Sequence, residues 1–380
     1  MLRRLIQAKK NDKYVVIVGC SLSGNKLADD IKAMSEEIRI IFADNDVAKQ
    51  QNGNGGYRVI GVNEIKGIDY ECCIIASVRF FLELSEQLRE LGVVEKDIYY
   101  TKEILQKKDM WLGKRFPRKQ LVFVVDLAEH CNLNCQNCDH FSPLADEKYA
   151  DIGVFENDMQ RMAELFCDEM YSISEIYLEG GEPLLNKNAV EFIKIVGKKL
   201  PKTQICIFTN GLLIPKQEQY FWDICREYHV RMVVTKYPIN FDYDKAKEIV
   251  VNNGVEFQFA EDGNVVKTSL HKPLDLRGSQ DKYISYMECY MGNGLCNMLK
   301  NGKLYPCTVV PNIDVFNRYF KQNVQVCEKD YIDIYKAESA EEIMEFLTNP
   351  IPACRYCQPQ NWTAGIEWKT TTFNIREWAE

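Results

Sequence analysis

Three cysteines set the first question this chain poses. Cys131, Cys135 and Cys138 stand at C-x3-C-x2-C spacing within Asp126–Leu144, DLAEHCNLNCQNCDHFSPL. Three thiolates so spaced can surround one face of a four-iron cubane and leave its fourth iron open. An open metal position takes a small chelating ligand, as catalytic metal sites do when the protein supplies one ligand too few. The same residues could also be buried thiols, or part of a zinc site completed by His130 or His140. A second set follows near the C-terminus. Asn301-Gly302 is a hairpin signal, and it would bring Cys289 and Cys307 together. Cys354 and Cys357 add a C-x2-C pair. Four such thiolates suit a structural zinc or a second four-iron cluster equally well. Cys296 falls inside this segment without a place in that count; it is a structural thiol, a substitute ligand or a hydrogen-atom donor. Cys72 and Cys73 lie in an apolar strand, and Cys167, Cys206, Cys225 and Cys327 read as packing.

The elements that must position these groups alternate in type. Strands are expected at Leu121–Val125, Glu175–Leu178, Ile205–Phe208, Val230–Val234 and Val255–Phe259. Helices are expected at Asp158–Asp168, Asn188–Lys198, Gln217–Glu227 and Tyr243–Asn252. This alternation predicts a parallel sheet with helices outside. Functional residues then belong at the C-terminal strand ends, where Cys131, Glu182 and Asn210 stand. Lys236 and Tyr237 close the fourth strand, where either could bind substrate or move a proton, or simply pack. Arg277 could grip a carboxylate or phosphate; His140, Asp126 and Glu129 are further candidates around the cysteine loop.

Three motifs in order give the chain a family resemblance. Cys131, Cys135 and Cys138, then Glu179-Gly180-Gly181-Glu182-Pro183, then Thr209-Asn210-Gly211 resemble the radical S-adenosylmethionine (radical SAM) superfamily. Each motif closes an expected strand, and together they cover roughly residues 120 to 260. The resemblance implies a four-iron cluster on the three cysteines, with Gly180, Gly181 and Glu182 beside the methionine group and Thr209 and Asn210 beside the ribose. Position 137, usually aromatic in that family, is Asn137 here. C-x12-G-x4-C from Cys289 through Gly302 to Cys307, with Cys354 and Cys357 later, looks like the family's auxiliary-cluster domain in its abbreviated form, called twitch. That resemblance favours an iron–sulfur cluster over zinc at the second set.

Residues 1–105 read as a separate βαβ unit. Tyr14–Val18 runs into Gly19-Cys20-Ser21-Leu22-Ser23-Gly24, a helix follows over Lys26–Ser35, and a second strand, Ile38–Phe42, ends at Asp44. Further strands are expected at Arg58–Ile60 and Cys72–Ala76, and a helix at Phe81–Leu91. Glycines at the first turn and an acid after the second strand are the marks of a nucleotide-binding half-domain, though the spacing is not G-x-G-x-x-G. The unit is similar to small Rossmann-like domains of bacterial polysaccharide-biosynthesis proteins. That likeness implies a nucleotide or nucleotide-sugar pocket at Gly19, Ser21, Ser23 and Asp44, unless the domain has kept its fold without a ligand. The expected organisation is α/β throughout. A Rossmann-like domain (1–105) and a linker (106–119) precede a partial (β/α)6 radical SAM barrel (120–285) and a small α+β auxiliary-cluster domain (286–380).

Composition narrows the partners. The chain has 380 residues, 46% of them hydrophobic, and a formal net charge of −8, which argues against a nucleic-acid backbone. MLRRLIQAKK lacks the apolar core of a signal peptide, and no apolar run reaches the roughly 18 residues of a membrane span. The 15 cysteines therefore read as reduced thiols of a cytoplasmic protein. The resemblance implies two [4Fe-4S] clusters and S-adenosylmethionine as cofactors, and an electron donor such as flavodoxin or ferredoxin. The implied chemistry is reductive cleavage of S-adenosylmethionine to a 5′-deoxyadenosyl radical, which takes a hydrogen atom from a substrate. The substrate expected from the N-terminal likeness is a sugar, nucleotide sugar or related small molecule. It would be oxidised by two electrons, or epimerised should Cys296 return a hydrogen atom. A ribosomal peptide is the alternative substrate, and a non-catalytic iron–sulfur carrier the alternative class.

Overall fold

The computed structural model describes residues 2–101, 104–105, 119–167, 170–261, 265–289 and 297–380. Cys296 and nearly all of the linker lie outside the described residues. Contacts divide the chain into two compact units, 1–114 and 115–380.

In the first unit, β1 (Tyr14–Val18), β2 (Arg39–Ala43), β3 (Val59–Ile60), β4 (Tyr70–Ile75) and β5 (Ile98–Tyr100) form a parallel sheet in the order β3-β2-β1-β4-β5. Helices α1 (Leu2–Lys10), α2 (Leu22–Met34), α3 (Val47–Asn52) and α4 (Phe81–Glu90) connect or flank the strands. Val15 to Val18 and Cys72 to Ile75 are fully buried, the unbroken apolar pattern of strands covered on both faces. The basic segment at the N-terminus is itself a helix whose Leu5 and Ala8 enter this core.

The second unit alternates β6 (Gln120–Ala128), α5 (Ile152–Leu165), β7 (Ser172–Gly180), α6 (Ala189–Lys199), β8 (Gln204–Thr209), α7 (Gln219–Glu227), β9 (Arg231–Val234), α8 (Tyr243–Asn252) and β10 (Glu256–Phe259). These strands run parallel as a partial barrel, with the helices packed against a core of Phe123, Ile176, Ile207, Met232, Phe192 and Val250. Farther along come β11 (Thr268–His271), α9 (Lys282–Glu288), β12 (Asn297–Lys300), β13 (Lys303–Tyr305), α10 (Ile313–Phe320), β14 (Ile332–Asp333), α11 (Ala340–Leu347) and β15 (Thr363–Glu367). The sixth parallel strand is β12, which joins the sheet beside β6 instead of after β10, and β13 and β14 extend that edge antiparallel. β11 and β15 form a separate antiparallel pair.

The β12–β13 hairpin turns on Asn301 and Gly302, at φ 51° and 73°, the two left-handed positions that a two-residue primed turn demands. Gly302 N–H donates to buried Asp158 on α5 at 2.9 Å, and Tyr335 O–H donates to the same carboxylate at 2.7 Å. This anchors the C-terminal hairpin to a barrel helix. α5 begins at Ile152, well ahead of the expected Asp158, because Asp151 caps it by accepting from Val154 N–H at 2.9 Å. Cys206 and Cys225 are buried as expected, whereas Cys167 and Cys327 are exposed. Cys167 follows the end of α5 and Cys327 caps the short turn Glu328–Asp330, so helical or apolar surroundings in the sequence did not translate into packing for these two.

Candidate functional site

The cysteine loop leaves the end of β6 and is gripped by the end of β7. Gly181 N–H donates to Ala128 O at 2.8 Å and Glu182 N–H to His130 O at 3.2 Å. Gly180 sits at φ 124°, and a Cβ on Gly181 would collide with the His130 carbonyl and lie 2.9 Å from Cys131 N. Only glycine lets the two backbones approach so closely. Cys131 Sγ accepts from Leu133 N–H at 3.3 Å and lies 3.8 Å from Asn210 Nδ2. Burial pushes the thiols of Cys131, Cys135 and Cys138 up, the charges of the neighbouring cysteines add to the rise at Cys131 and Cys138, and nearby N–H groups pull all three back. Half-buried sulfurs supplied with N–H donors suit thiolate ligands of a cluster. Among the described residues no three His, Cys, Asp or Glu side chains are gathered tightly enough for a single metal ion.

Glu182 knits the three motifs together. Its fully buried carboxylate accepts from Thr209 Oγ1 at 2.7 Å, Asn210 N–H at 2.9 Å and Leu184 N–H at 3.1 Å. Asn210 in turn donates from Nδ2 to Asn132 Oδ1 at 2.7 Å. The ends of β7 and β8 and the cysteine loop thus form one hydrogen-bonded floor that includes Gly181, Glu182, Thr209, Asn210 and the start of the loop.

A charged cluster stands at the adjoining strand ends. Asp126 on β6 lies opposite Glu179 on β7. His140 Nδ1 lies 3.0 and 3.2 Å from the two Asp126 oxygens, and His140 Nε2 is 4.0 Å from Glu179. Burial opposes the imidazolium, but the charge and hydrogen bond of Asp126, joined by the charges of Glu179 and Asp139, together outweigh it and raise His140; burial also raises Glu179, against the pull of His140. Asn312 Nδ2 donates to Asp126 at 3.2 Å. Glu129 is held by Lys148 and Lys300 at 2.8 and 3.1 Å. Lys236 sits over the Phe259 ring at 4.8 Å. Tyr237 meets Trp368 edge to face, 5.6 Å between centroids, and its backbone N–H donates to the Tyr243 hydroxyl oxygen at 2.9 Å.

The second cysteine set is gathered as well. Cys289, Cys307, Cys354 and Cys357 line one pocket with Leu274, Val310 and Ile351. Burial pushes Cys307 up to about 11, and raises Cys354 and Cys357. Lys272 links this pocket to the first loop. It lines the pocket, pairs with Asp139 next to Cys138, and its charge reaches Cys307 and Cys357. Arg277 is different: its side chain is 88% exposed and 3.7 Å from Asp275, outside this constellation.

In the first unit Gly19, Ser21 and Asp44 do line one cleft, of about 470 Å3, with Cys20, Lys49, Ser77 and Glu83. Their polar groups, however, serve the fold. Asp44 accepts from Cys20 N–H at 2.7 Å and Asp46 N–H at 3.0 Å and pairs with Lys49 at 3.1 Å. Ser21 caps α2 through Gly24 N–H at 3.1 Å and donates to Ala76 O at 2.8 Å. A phosphate at this turn would compete with the Asp44 carboxylate for the Cys20 N–H.

Sequence reasoning missed Glu179, Lys272, Trp368 and Trp378. Glu179 could have been found, since it directly precedes the glycine pair. The others carry no local signal. Trp378 Nε1 donates to Cys138 O at 3.0 Å across a separation of 240 residues.

Comparisons with known proteins agree with this geometry. Residues 118–252 match the family "4Fe-4S single cluster domain", and residues 11–99 match "C2185-like, N-terminal". Molybdenum cofactor biosynthesis protein 1 of Dictyostelium discoideum is 31% identical over 110 residues, 28% of this chain and 16% of that protein. GTP 3′,8-cyclase of Nautilia profundicola is 33% identical over 97 residues, 26% of this chain and 30% of that protein. The match therefore spans less than a third of either relative. Among solved structures, BtrN in complex with AdoMet and 2-DOIA covers 64% of this chain and 94% of its own, at 16% identity and TM-score 0.41. Native anSMEcpe with AdoMet and the Cp18Cys peptide covers 63% and 83%, at 14% identity and TM-score 0.37. The strand-end motifs lie in the segment that matches the 4Fe-4S single cluster domain, on the strands of the partial α/β barrel. More particularly, the matched segment 118–252 contains all three motifs by which the chain resembles the radical SAM superfamily.

Proposed function

We propose that this chain is a radical SAM enzyme that removes a hydrogen atom from a hydroxyl-bearing carbon of a small molecule, a sugar or nucleotide sugar, with net two-electron oxidation as the outcome. Cys131, Cys135 and Cys138 would hold the first cluster, and Cys289, Cys307, Cys354 and Cys357 a second. When bound, the first cluster with S-adenosylmethionine would supply a carbon-centred radical, and the second an electron acceptor. The protein's own part is to hold and to exclude. Gly180 and Gly181 let the strand end lie against the loop, while Glu182 fixes Thr209 and Asn210 beside it. Asp126, His140 and Glu179 offer carboxylates and an imidazole, groups that hydrogen-bond hydroxyls and can take a proton from one.

The observation that carries the oxidative reading is Lys272. One side chain, 6% exposed, reaches from Asp139 in the first cysteine loop to the pocket of the second set. This link through one side chain supports the two sets acting in one reaction. Epimerisation would need a hydrogen-atom donor opposite the radical.

The test is 5′-deoxyadenosine release by the anaerobically reconstituted protein with reductant, in buffer, a nucleotide-sugar pool or a peptide pool. Stimulation by the sugar pool and loss of release in Cys135→Ala are expected. Stimulation by peptides alone would overturn the substrate, and release undiminished in Cys135→Ala would overturn the cluster assignment.

A further inference from the structure

We propose that the exposed ring pair Tyr319–Phe373, with its cationic flanks, is the docking surface for an acidic protein that carries a reduced flavin and delivers electrons to the first cluster. The proposal rests on the reading of Cys131, Cys135 and Cys138 as cluster ligands in a radical enzyme.

The surface is built by α10 and the C-terminal tail. The tail lies along the cysteine loop as an added strand. Gln136 N–H donates to Lys369 O at 2.9 Å, Thr371 N–H donates to Asn134 O at 2.8 Å, and Cys135 bridges to Thr370. Two residues beyond Thr371, Phe373 turns outward and stacks on Tyr319 of α10, 6.0 Å between centroids and 26° between planes. The pair nevertheless stays 42% and 46% exposed at Phe373 and Tyr319. Single apolar residues on a surface are ordinary, whereas an aromatic pair left in water marks a contact surface.

Phe373 is strained in that position. Its φ is 58°. Asn137 in the cysteine loop is left-handed too, at φ 61°, but asparagine tolerates that conformation far better than a bulky ring does. A buried carboxylate enforces the turn. Glu377 accepts from Thr372 N–H at 2.8 Å and from the hydroxyls of Thr371 and Thr372, and Phe373 N–H donates to Thr371 Oγ1 at 2.8 Å. Strain that presents a ring to solvent serves contact, not packing.

Charge selects the partner. Segments 318–321 and 369–376 carry exposed Arg318, Lys321, Lys369 and Arg376 and no acid. Arg318 and Lys369 meet Asp146 and Glu367 at 3.5 and 3.4 Å, exposed pairs that bind weakly. On a chain of net charge −8, such a gathering of cations favours an acidic partner. A flat ring pair complements the edge of a planar flavin. The surface also leads inward. Tyr319 meets Phe320 at 4.9 Å, Phe320 meets Trp378 at 5.7 Å, and Trp378 Nε1 donates to Cys138 O at 3.0 Å. One electron would pass from the partner's flavin to the first cluster; the flavin is oxidised, the cluster reduced, and no bond forms or breaks.

The experiment measures 5′-deoxyadenosine release by the anaerobically reconstituted full chain with S-adenosylmethionine, driven in one arm by reduced flavodoxin and in the other by dithionite. Wild type is compared with Phe373→Gly and with the double variant Lys321→Asn, Arg376→Gln. Lys321 is left-handed, at φ 53°, and glycine and asparagine accept such positions, so neither protein gains strain. We expect the dithionite arm to be unchanged in all three. The half-saturating flavodoxin concentration should rise about tenfold in each variant, and its salt dependence should weaken in the double variant. Equal flavodoxin dependence in all three proteins would overturn the docking surface, as would equal loss in both arms, which would mean that the ring only supports the loop. Wild type served by dithionite or a reduced ferredoxin but not by flavodoxin would overturn the flavin partner. No release from wild type in either arm would overturn the radical reading beneath it.

Discussion

Gly181→Ala probes the contact on which the whole site depends. The new methyl would strike the His130 carbonyl and stand 2.9 Å from Cys131 N, and these neighbours are all backbone. No side chain can rotate away, so either the end of β7 or the cysteine loop must move. Overpacking of this kind costs about 1–3 kcal/mol. The movement also breaks the Glu182 N–H to His130 O hydrogen bond, adding about 1 kcal/mol. A loss of about 2–4 kcal/mol is therefore expected in the urea unfolding of the metal-free protein, with reduced iron per chain after reconstitution because Cys131 is displaced. Gly67→Ala is the matched control. A Cβ there meets nothing within 4 Å and the backbone is not left-handed, so stability should be unchanged or rise by about 0.4–1 kcal/mol. If Gly181→Ala matched wild type in both stability and iron content, the close approach of β7 to the loop would be refuted.

Three further outcomes follow from single residues. Asn137→Tyr should destabilise the metal-free protein by about 1–2 kcal/mol, the cost of a left-handed residue other than Gly, Asn or Asp, whereas Asn137→Gly should not; equal urea midpoints for the two would count against the strained turn. Asp275 is held at about 2 because hydrogen bonds from Ser279, Gln280 and Arg277 N–H outweigh the effect of burial. Its folded value lies below its unfolded one, so its contribution of about 2 kcal/mol is present above pH 4 and fades between about pH 4 and 2; the stability gap between wild type and Asp275→Asn should close over that window, and a gap independent of pH would reject it. Cys307→Ala should keep part of the 5′-deoxyadenosine release but lose oxidised product, and product at the normal rate would remove the second cysteine set from the reaction.

What could be read in advance was whatever is encoded locally. Asn301-Gly302 announced its hairpin because a two-residue primed turn accepts few other pairs. Tyr14–Val18 and Tyr243–Asn252 were placed to the residue, since each is bounded by clear breaks in pattern. Boundaries slipped where a cap decided them, as Asp151 does for α5, or where charge masked an amphipathic face, as in Leu2–Lys10. The motif residues converge as their strand-end positions imply. Lys272 and Trp368 were invisible for a different reason: their partners lie more than 130 and 230 residues away, and no spacing rule spans that distance. Asp44, expected as a ligand contact from its position after β2, lines the cleft and also accepts hydrogen bonds within its own turn, which no spacing rule announces.

The tail that brings Trp368 and Trp378 to the cysteine loop has a kinetic consequence. Contacts 240 residues apart in the chain must wait for a long loop to close, so they are expected to form slowly compared with the local β/α units. The barrel strands and the loop of three cysteines can take shape while that cover is still unbound. During this interval the thiolates face solvent and can be approached by an iron–sulfur donor. Docking of the tail then fixes the backbone of the loop. Assembly of the metal centre and completion of the fold would thus be ordered in time by chain topology, with no separate gate required.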